Sequence, residues 1–139
     1  MQINTKRLIE NLSTLASIGA TPEGGVSRPA FSEADLAGRR WFQEYVGQRE
    51  LEFKIDGAAN QSAILACSSR SASTLLIGSH LDTVPNGGKY DGALGVLTGL
   101  EVAETLRENG ITLPFHLEII NFTDEEGSVL GEFGSQALT

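Results

Sequence analysis

The sequence predicts an α/β fold built on a mostly parallel sheet, and three observations carry that reading. Two apolar runs, residues 74–77 and 115–122, flank a stretch of helical periodicity, which is the strand, helix, strand order of a βαβ unit. Both runs are short and apolar almost throughout, the pattern of strands covered on both faces. Two further stretches near the start carry apolar residues at helical spacing.

From Asn4 to about Ile18, Leu8, Leu12 and Leu15 recur at that spacing, with Asn4 or Thr5 placed to cap the helix and Gly19 to end it. Thr21 to Pro29 contains two prolines and two glycines, which exclude regular structure, so it is a loop. Ser32-Glu33-Ala34-Asp35 has the hydroxyl-then-acid spacing of a cap. The helix it opens runs to about Gly47 with Ala37, Trp41 and Tyr45 on one face. Phe53 and Ile55 lie on one side of a short alternating run, and Ala63 to Cys67 is a second apolar run. The two read as strands forming a hairpin around Asp56 to Asn60. After a polar turn, Ser68 to Ser73, comes the strand Thr74 to Ile77. A helix then opens at Asp91 or Gly92, with Ala93, Leu97, Leu100, Ala103 and Leu106 as its apolar stripe and Asn109-Gly110 as its stop. The strand Phe115 to Phe122 runs directly into Thr123-Asp124-Glu125-Glu126-Gly127.

Composition narrows the function classes. The 139 residues suit one domain with its own core. With 10 basic against 18 acidic residues and no basic cluster, a nucleic-acid partner is not expected. Cys67 is the only cysteine, so no internal disulfide can form and a reducing cytoplasmic setting is the simplest expectation. No apolar h-region follows the N-terminus and no apolar run is long enough to span a bilayer, so no membrane role is expected either.

Parallel strands have a chemical consequence. His80 and Asp82 follow the carboxyl end of one strand and Glu125 and Glu126 that of the other, so all four emerge at one sheet edge, where open α/β sheets place ligands. Asp91 reaches the same edge from the start of the helix. Imidazole nitrogen and carboxylate oxygen are the ligand types that suit zinc, manganese and similar ions. The plain alternative is a set of solvated loop acids with one capping aspartate. Three adjacent acids repel, and a bound cation, or one carboxyl that keeps a raised pKa and serves as a base, relieves that repulsion. His116 reads as structural. Cys67 reads as a buried, inert thiol with no basic partner near. Gly87-Gly88 matches no phosphate loop.

Three motifs carry a family likeness: Gly78-Ser79-His80-Leu81-Asp82-Thr83-Val84-Pro85, Gly88-Lys89-Tyr90-Asp91-Gly92, and Asn121-Phe122-Thr123-Asp124-Glu125-Glu126-Gly127-Ser128. They resemble the metal-dependent amidohydrolases of the M20 peptidase superfamily, in the branch of N-carbamoyl-L-amino-acid hydrolase, allantoate amidohydrolase and β-ureidopropionase. Gly24-Gly25-Val26-Ser27-Arg28, Phe31-Ser32 and Arg39-Arg40-Trp41-Phe42 are similar to the same branch's N-terminal segment.

The resemblance implies a partial three-layer αβα, zinc-peptidase-like catalytic domain, with residues 1–139 as its N-terminal portion and the lid domain absent. It implies two divalent metal ions (zinc, manganese, cobalt or nickel), with His80 on one, Asp91 bridging and Glu126 on the second. Asp82 would orient the His80 imidazole and Glu125 would be the general base, acting on a small ureido or amide substrate. The family dimerises through the lid and supplies two more histidine ligands, so each ion here counts only two ligands. A second departure is local: the family usually has glycine before the asparagine that follows the strand near Ile55, whereas Ala59 precedes Asn60 and Gln61-Ser62 replaces an expected apolar residue. Three functions remain open on this reading: a ureido amidohydrolase, poorly active as this chain alone; a peptidase; and a non-catalytic binding module.

Overall fold

The structure, a computed structural model, describes residues 1–138. Helices α1 (Thr5–Ser17) and α2 (Glu33–Gly47) precede strands β1 (Glu52–Ile55), β2 (Gln61–Leu65) and β3 (Thr74–His80). Helix α3 (Ala93–Glu108), strand β4 (His116–Phe122) and the short α4 (Phe133–Gln136) follow. The α/β class and the βαβ unit are as the sequence predicts. Asn4 Oδ1 caps α1 by accepting from the Arg7 N–H, and Ser32 Oγ caps α2 by accepting from that of Asp35. In α2 the buried line is Gly38, Phe42 and Tyr45, one position round from the expected stripe. Trp41 is half-buried and tilts against Tyr45 with ring centroids 5.3 Å apart.

The strand order is β1-β2-β4-β3, and here the expectation of a mostly parallel sheet is corrected. β1 with β2 and β2 with β4 pair antiparallel, and only β3 with β4 is parallel. The reason lies in the connections: β1 and β2 are joined by a tight turn, which requires opposite directions, whereas α3 provides the long crossover a parallel pair needs. In the tight turn Asp56 Oδ1 accepts the N–H groups of Ala58 and Asn60, each at 2.9 Å.

Helices α1 to α3 cover one sheet face. Leu15, Phe42, Val46, Leu97 and Leu100 form one core with Ala63, Leu117 and Ile119 of the strands. On the other face the cross-strand row Ile64, Glu118, Leu76 stays half-buried or exposed, and α4 is the helix that touches β4 there. β3 therefore departs from the strand covered on both faces: Leu75 is 50% and Leu76 41% exposed. It lies at the end of the strand order with one neighbour. Cys67 also departs from expectation. It is half-buried, and His116 lies beside it, because the pairing of Leu65 with Leu117 runs the chain beyond β2 alongside the start of β4.

The sequence reading misses the polar interior of α3. Glu101, Glu104 and Thr105 are buried in α3, with the Thr105 hydroxyl donating to Glu101 Oε1 at 3.0 Å. Arg7 crosses from α1, with Nε 2.7 Å from Glu101 Oε2 and Nη1 3.3 Å from Glu104 Oε1. The Tyr45 hydroxyl donates to Glu104 Oε2 at 2.8 Å, and the Arg49 guanidinium lies 3.5 Å above the Tyr45 ring. Buried carboxylates persist when paired and hydrogen-bonded in this way. Among the described residues no helix is long and apolar enough to cross a membrane.

Candidate functional site

Parallel register fixes the site. His80 is the last residue of β3 and pairs with Phe122, the last of β4, so the segments carrying the candidate residues leave the sheet side by side. Residues 81 to 83 are buried, and Arg28 holds them. Its Nε donates to the Leu81 carbonyl at 2.6 Å, while Nη1 donates to those of Leu15 at 2.9 Å and Ile18 at 2.7 Å. The Arg28 backbone N–H also donates to Thr83 Oγ1. Burial pushes this guanidinium below its ordinary value, and the charges of Asp35 and Asp82 work against that. The sequence marks residue 28 through its motif, but three carbonyls from two distant segments give it its task.

His80 is 7% exposed. Its Nδ1 is 3.0 Å from the Asp82 carbonyl oxygen and 3.6 Å from Asp82 Oδ1. A carbonyl only accepts, so in the neutral ring Nδ1 carries the proton and the lone pair is left on Nε2, which lies 3.4 Å from Glu125 Oε2. Asp82 Oδ2 accepts the Glu126 N–H at 3.1 Å, linking the two exits, while its Oδ1 is buried without a hydrogen-bond partner.

The acidic run is resolved by geometry. Asp124 takes φ +55, and its buried carboxylate accepts the N–H groups of Val129, Leu130 and Gly131. This acid is spent on the following loop, and Glu125 is the member of the run that lines the cleft. Burial pushes the Glu126 carboxyl above its ordinary value; the His80 charge opposes this, and Asp91, Glu125 and Asp82 add to it. A cleft of about 400 Å³ brings together His80, Asp91 and Glu125, with Gly92 behind the imidazole. Glu132 and Ser135 also line it. Sequence reasoning missed both; the one signal was Gly134, where a Cβ would meet the Thr123 backbone nitrogen at 2.4 Å, so α4 packs hard against the exit of β4.

The model of peptidase family M28 matches residues 62–139, more than half of the chain and the whole of this site. The chain belongs to peptidase family M28. Among curated relatives of this M28 chain, an N-carbamoyl-L-amino acid amidohydrolase of Geobacillus stearothermophilus is 37% identical over 98% of the chain and 34% of its own length. An allantoate amidohydrolase of Bacillus subtilis is 31% identical over 87% of the chain and 29% of its own. A crystal structure of a hydantoinase/carbamoylase family amidase from Burkholderia ambifaria superposes with a TM-score of 0.88. It is 43% identical, covering 91% of this chain and 31% of that one. The chain thus spans about a third of the length of the curated relatives it matches. The amidohydrolase kinship read from the three motifs stands, under the M28 designation.

Do the residues of this M28 chain suit divalent ions? Among the described residues no group of three or more potential ligands converges. The donor set nevertheless fits part of a metal site. In its neutral ring His80 turns the Nε2 lone pair towards the carboxylates, burial and then the charges of Asp91, Glu125 and Asp82 disfavour the charge on Glu126, and one buried Asp82 oxygen has no donor. Gly92 keeps the imidazole's space open, since a Cβ there would lie 2.5 Å from Nε2.

Proposed function

We propose that residues 1–139 are the N-terminal portion of the catalytic domain of an amidohydrolase that cleaves the C–N bond of N-carbamoyl amino acids or related ureido compounds. The observation that carries this reading is the parallel pairing of β3 with β4, which brings the His80 imidazole within 3.4 Å of the Glu125 carboxylate at one sheet edge.

His80 and Asp91 would hold one divalent ion, and Asp91 and Glu126 a second, whether zinc, manganese, cobalt or nickel. Bound there, such ions make water more acidic and polarise a carbonyl oxygen. The chain's own groups divide the remaining work. Asp82 positions two of them, its backbone carbonyl accepting from His80 Nδ1 and its Oδ2 accepting from the Glu126 N–H. Glu125 takes a proton from the attacking water and returns it to the departing nitrogen. Catalytic zinc usually has three protein ligands, so the site draws further ligands, and lid groups that also dimerise, from sequence beyond this segment of the full-length protein. The substrate is a small ureido or amide compound met in the cytoplasm, with no part for nucleic acid or membrane.

The test is to incubate the full-length protein with N-carbamoyl amino acids and, separately, with dipeptides. Release of the free amino acid from the carbamoyl compound, lost in Glu125→Gln, is the expected result. Cleavage of dipeptides alone replaces this reading with that of a peptidase, which the family designation favours.

A further inference from the structure

Asn60 is the last residue of the turn between β1 and β2 and is 1% exposed. Its side-chain amide is fully engaged. Nδ2 donates to Asp56 Oδ2 at 2.8 Å within the turn and to the Gly134 carbonyl of α4 at 2.9 Å, while Oδ1 accepts the Thr123 N–H at 2.9 Å where β4 ends. These partners fix which end of the amide is oxygen, since a carbonyl and a carboxylate only accept and a backbone N–H only donates. The turn does not need the reach to Thr123 and Gly134, because it is already closed by the Asp56 N–H on the Asn60 carbonyl and the Asn60 N–H on Asp56 Oδ1.

The exit of β4 is left with little freedom. Thr123 gives its N–H to Asn60, its carbonyl accepts the Gly134 N–H at 2.8 Å, and its hydroxyl lies 3.4 Å from Arg39 Nη1. Gly134 sits so close that an added Cβ would lie 2.2 Å from Asn60 Oδ1. The chain then turns through the left-handed Asp124, and the next side chain is Glu125, whose Oε2 lies 3.4 Å from His80 Nε2. Glu132, the cap of α4, and Ser135 within it line the same cleft.

We propose that Asn60 is a positioning residue: its amide locks the exit of β4 to α4 and so sets where Glu125 stands relative to His80. The role rests on the reading of Glu125 as the base. Position 60 demands one acceptor and two donors on a short side chain. Aspartate has nearly the same shape but cannot donate, so it keeps a partner for the Thr123 N–H and sets an oxygen against the Asp56 carboxylate and the Gly134 carbonyl. A shift of about 1 Å in a reacting group can lower a rate roughly a hundredfold.

The experiment compares the full-length protein with its Asn60→Asp and Asp56→Ala variants at saturating zinc, on whichever of N-carbamoyl amino acids or dipeptides the wild type cleaves. Asn60→Asp should lower kcat at least about tenfold while KM stays within about twofold. Asp56→Ala loses the turn's carboxylate but keeps the bonds of Asn60 to Thr123 and Gly134, so its urea midpoint should fall while its kcat stays within about twofold of wild type. Equal kcat losses in the two variants would make Asn60 a residue of the turn alone and overturn the proposal. If Asn60→Asp does not fold, Asp56→Asn together with Asn60→Asp restores a donor within the turn and lacks only the bond to Gly134; the same kcat loss is expected, and wild-type kcat overturns the proposal. Amide hydrogen exchange in the same proteins needs no turnover. The Gly134 amide should exchange at least about tenfold faster in Asn60→Asp than in wild type, while Ile119, paired with Ala63 in the sheet, stays protected. Unchanged exchange at Gly134 overturns the proposal too, whereas a wild type that cleaves only dipeptides replaces the ureido reading and leaves both comparisons standing.

Discussion

Gly92 and His80 approach each other in a way no other residue at position 92 permits. A Cβ there would stand 2.5 Å from the ring's Cε1 and Nε2, and Gly92 holds φ +63 as the cap of α3. Gly92→Ala should therefore cost about 1–2 kcal/mol through the backbone alone and also push the imidazole aside. If His80 is a ligand, zinc affinity measured by titration calorimetry falls at least about tenfold, equivalent to ~1.4 kcal/mol. Wild-type affinity in the variant would remove His80 from the ligand set.

Ala59 presents the opposite case. It adopts φ +62 in the turn between β1 and β2, at the position where the resembling family usually has glycine. Ala59→Gly should raise stability by about 1 kcal/mol in urea denaturation, because the strain of a left-handed alanine exceeds the entropy glycine adds to the unfolded chain. An unchanged or lower midpoint would mean that the Asp56 turn holds this conformation without strain.

These two residues illustrate what the sequence could and could not reveal. Element types were legible because Leu12 and Leu15, or Phe115 to Phe122, repeat with the period of the structure they form, and because Asn4 and Ser32 act on neighbours three residues away. The pairing of β2 with β4 was not legible, since it joins partners 50 or more residues apart, such as Ala63 with Ile119, whereas the hairpin of β1 with β2 was. The candidate residues could be named, but Arg28's three carbonyls and the Glu101–Arg7 pair come from segments that folding alone brings together. The neighbour of Cys67 was missed for the same reason: His116 is 49 residues away.

The α1–α3 contact should set the pH limits of stability. Burial pushes Glu101 up, but hydrogen bonds from Arg7, the Asn4 N–H and Thr105 outweigh it and hold the carboxyl below its ordinary 4.5. Its contribution is complete above that value and is lost as pH falls through the lower folded value. Tyr45, pushed up to about 12 by burial and then by Glu104, contributes fully below 10.0 and loses its contribution as pH rises towards 12. Thermal melts across pH should thus show Arg7→Met steepest in its deficit above the acid limb and converging on the wild type at low pH. Tyr45→Phe should flatten the alkaline limb. Deficits independent of pH would contradict both assignments.

The exposed edge at β3 should make the chain associate, because Leu75 and Leu76 lie on an edge strand paired on one side only. Leu76→Lys places a cation opposite Glu118, its partner on β4, and adds charge to the edge. Light scattering at rising concentration should show later onset of association in Leu76→Lys than in the wild type, and a wild type that stays monomeric and melts reversibly would refute the expectation.

Asp124 is the residue on which the direction of the two glutamates depends. Its left-handed backbone ends β4 abruptly, and its carboxylate is tied to the loop by the Leu130 N–H at 2.6 Å and those of Val129 and Gly131 at 3.2 and 3.3 Å. Alanine would leave buried donors unpaired while keeping a left-handed conformation it tolerates poorly, a loss of about 2–4 kcal/mol. Asparagine keeps one acceptor oxygen and is among the residues that enter this conformation most readily, so Asp124→Asn should lose about half as much. Urea denaturation of both variants gives the comparison. If the carboxylate's charge rather than its geometry were essential, asparagine would be as damaging as alanine; if neither variant lost stability, the loop would be held by something other than Asp124, and Glu125 would need a different account of how it comes to face His80.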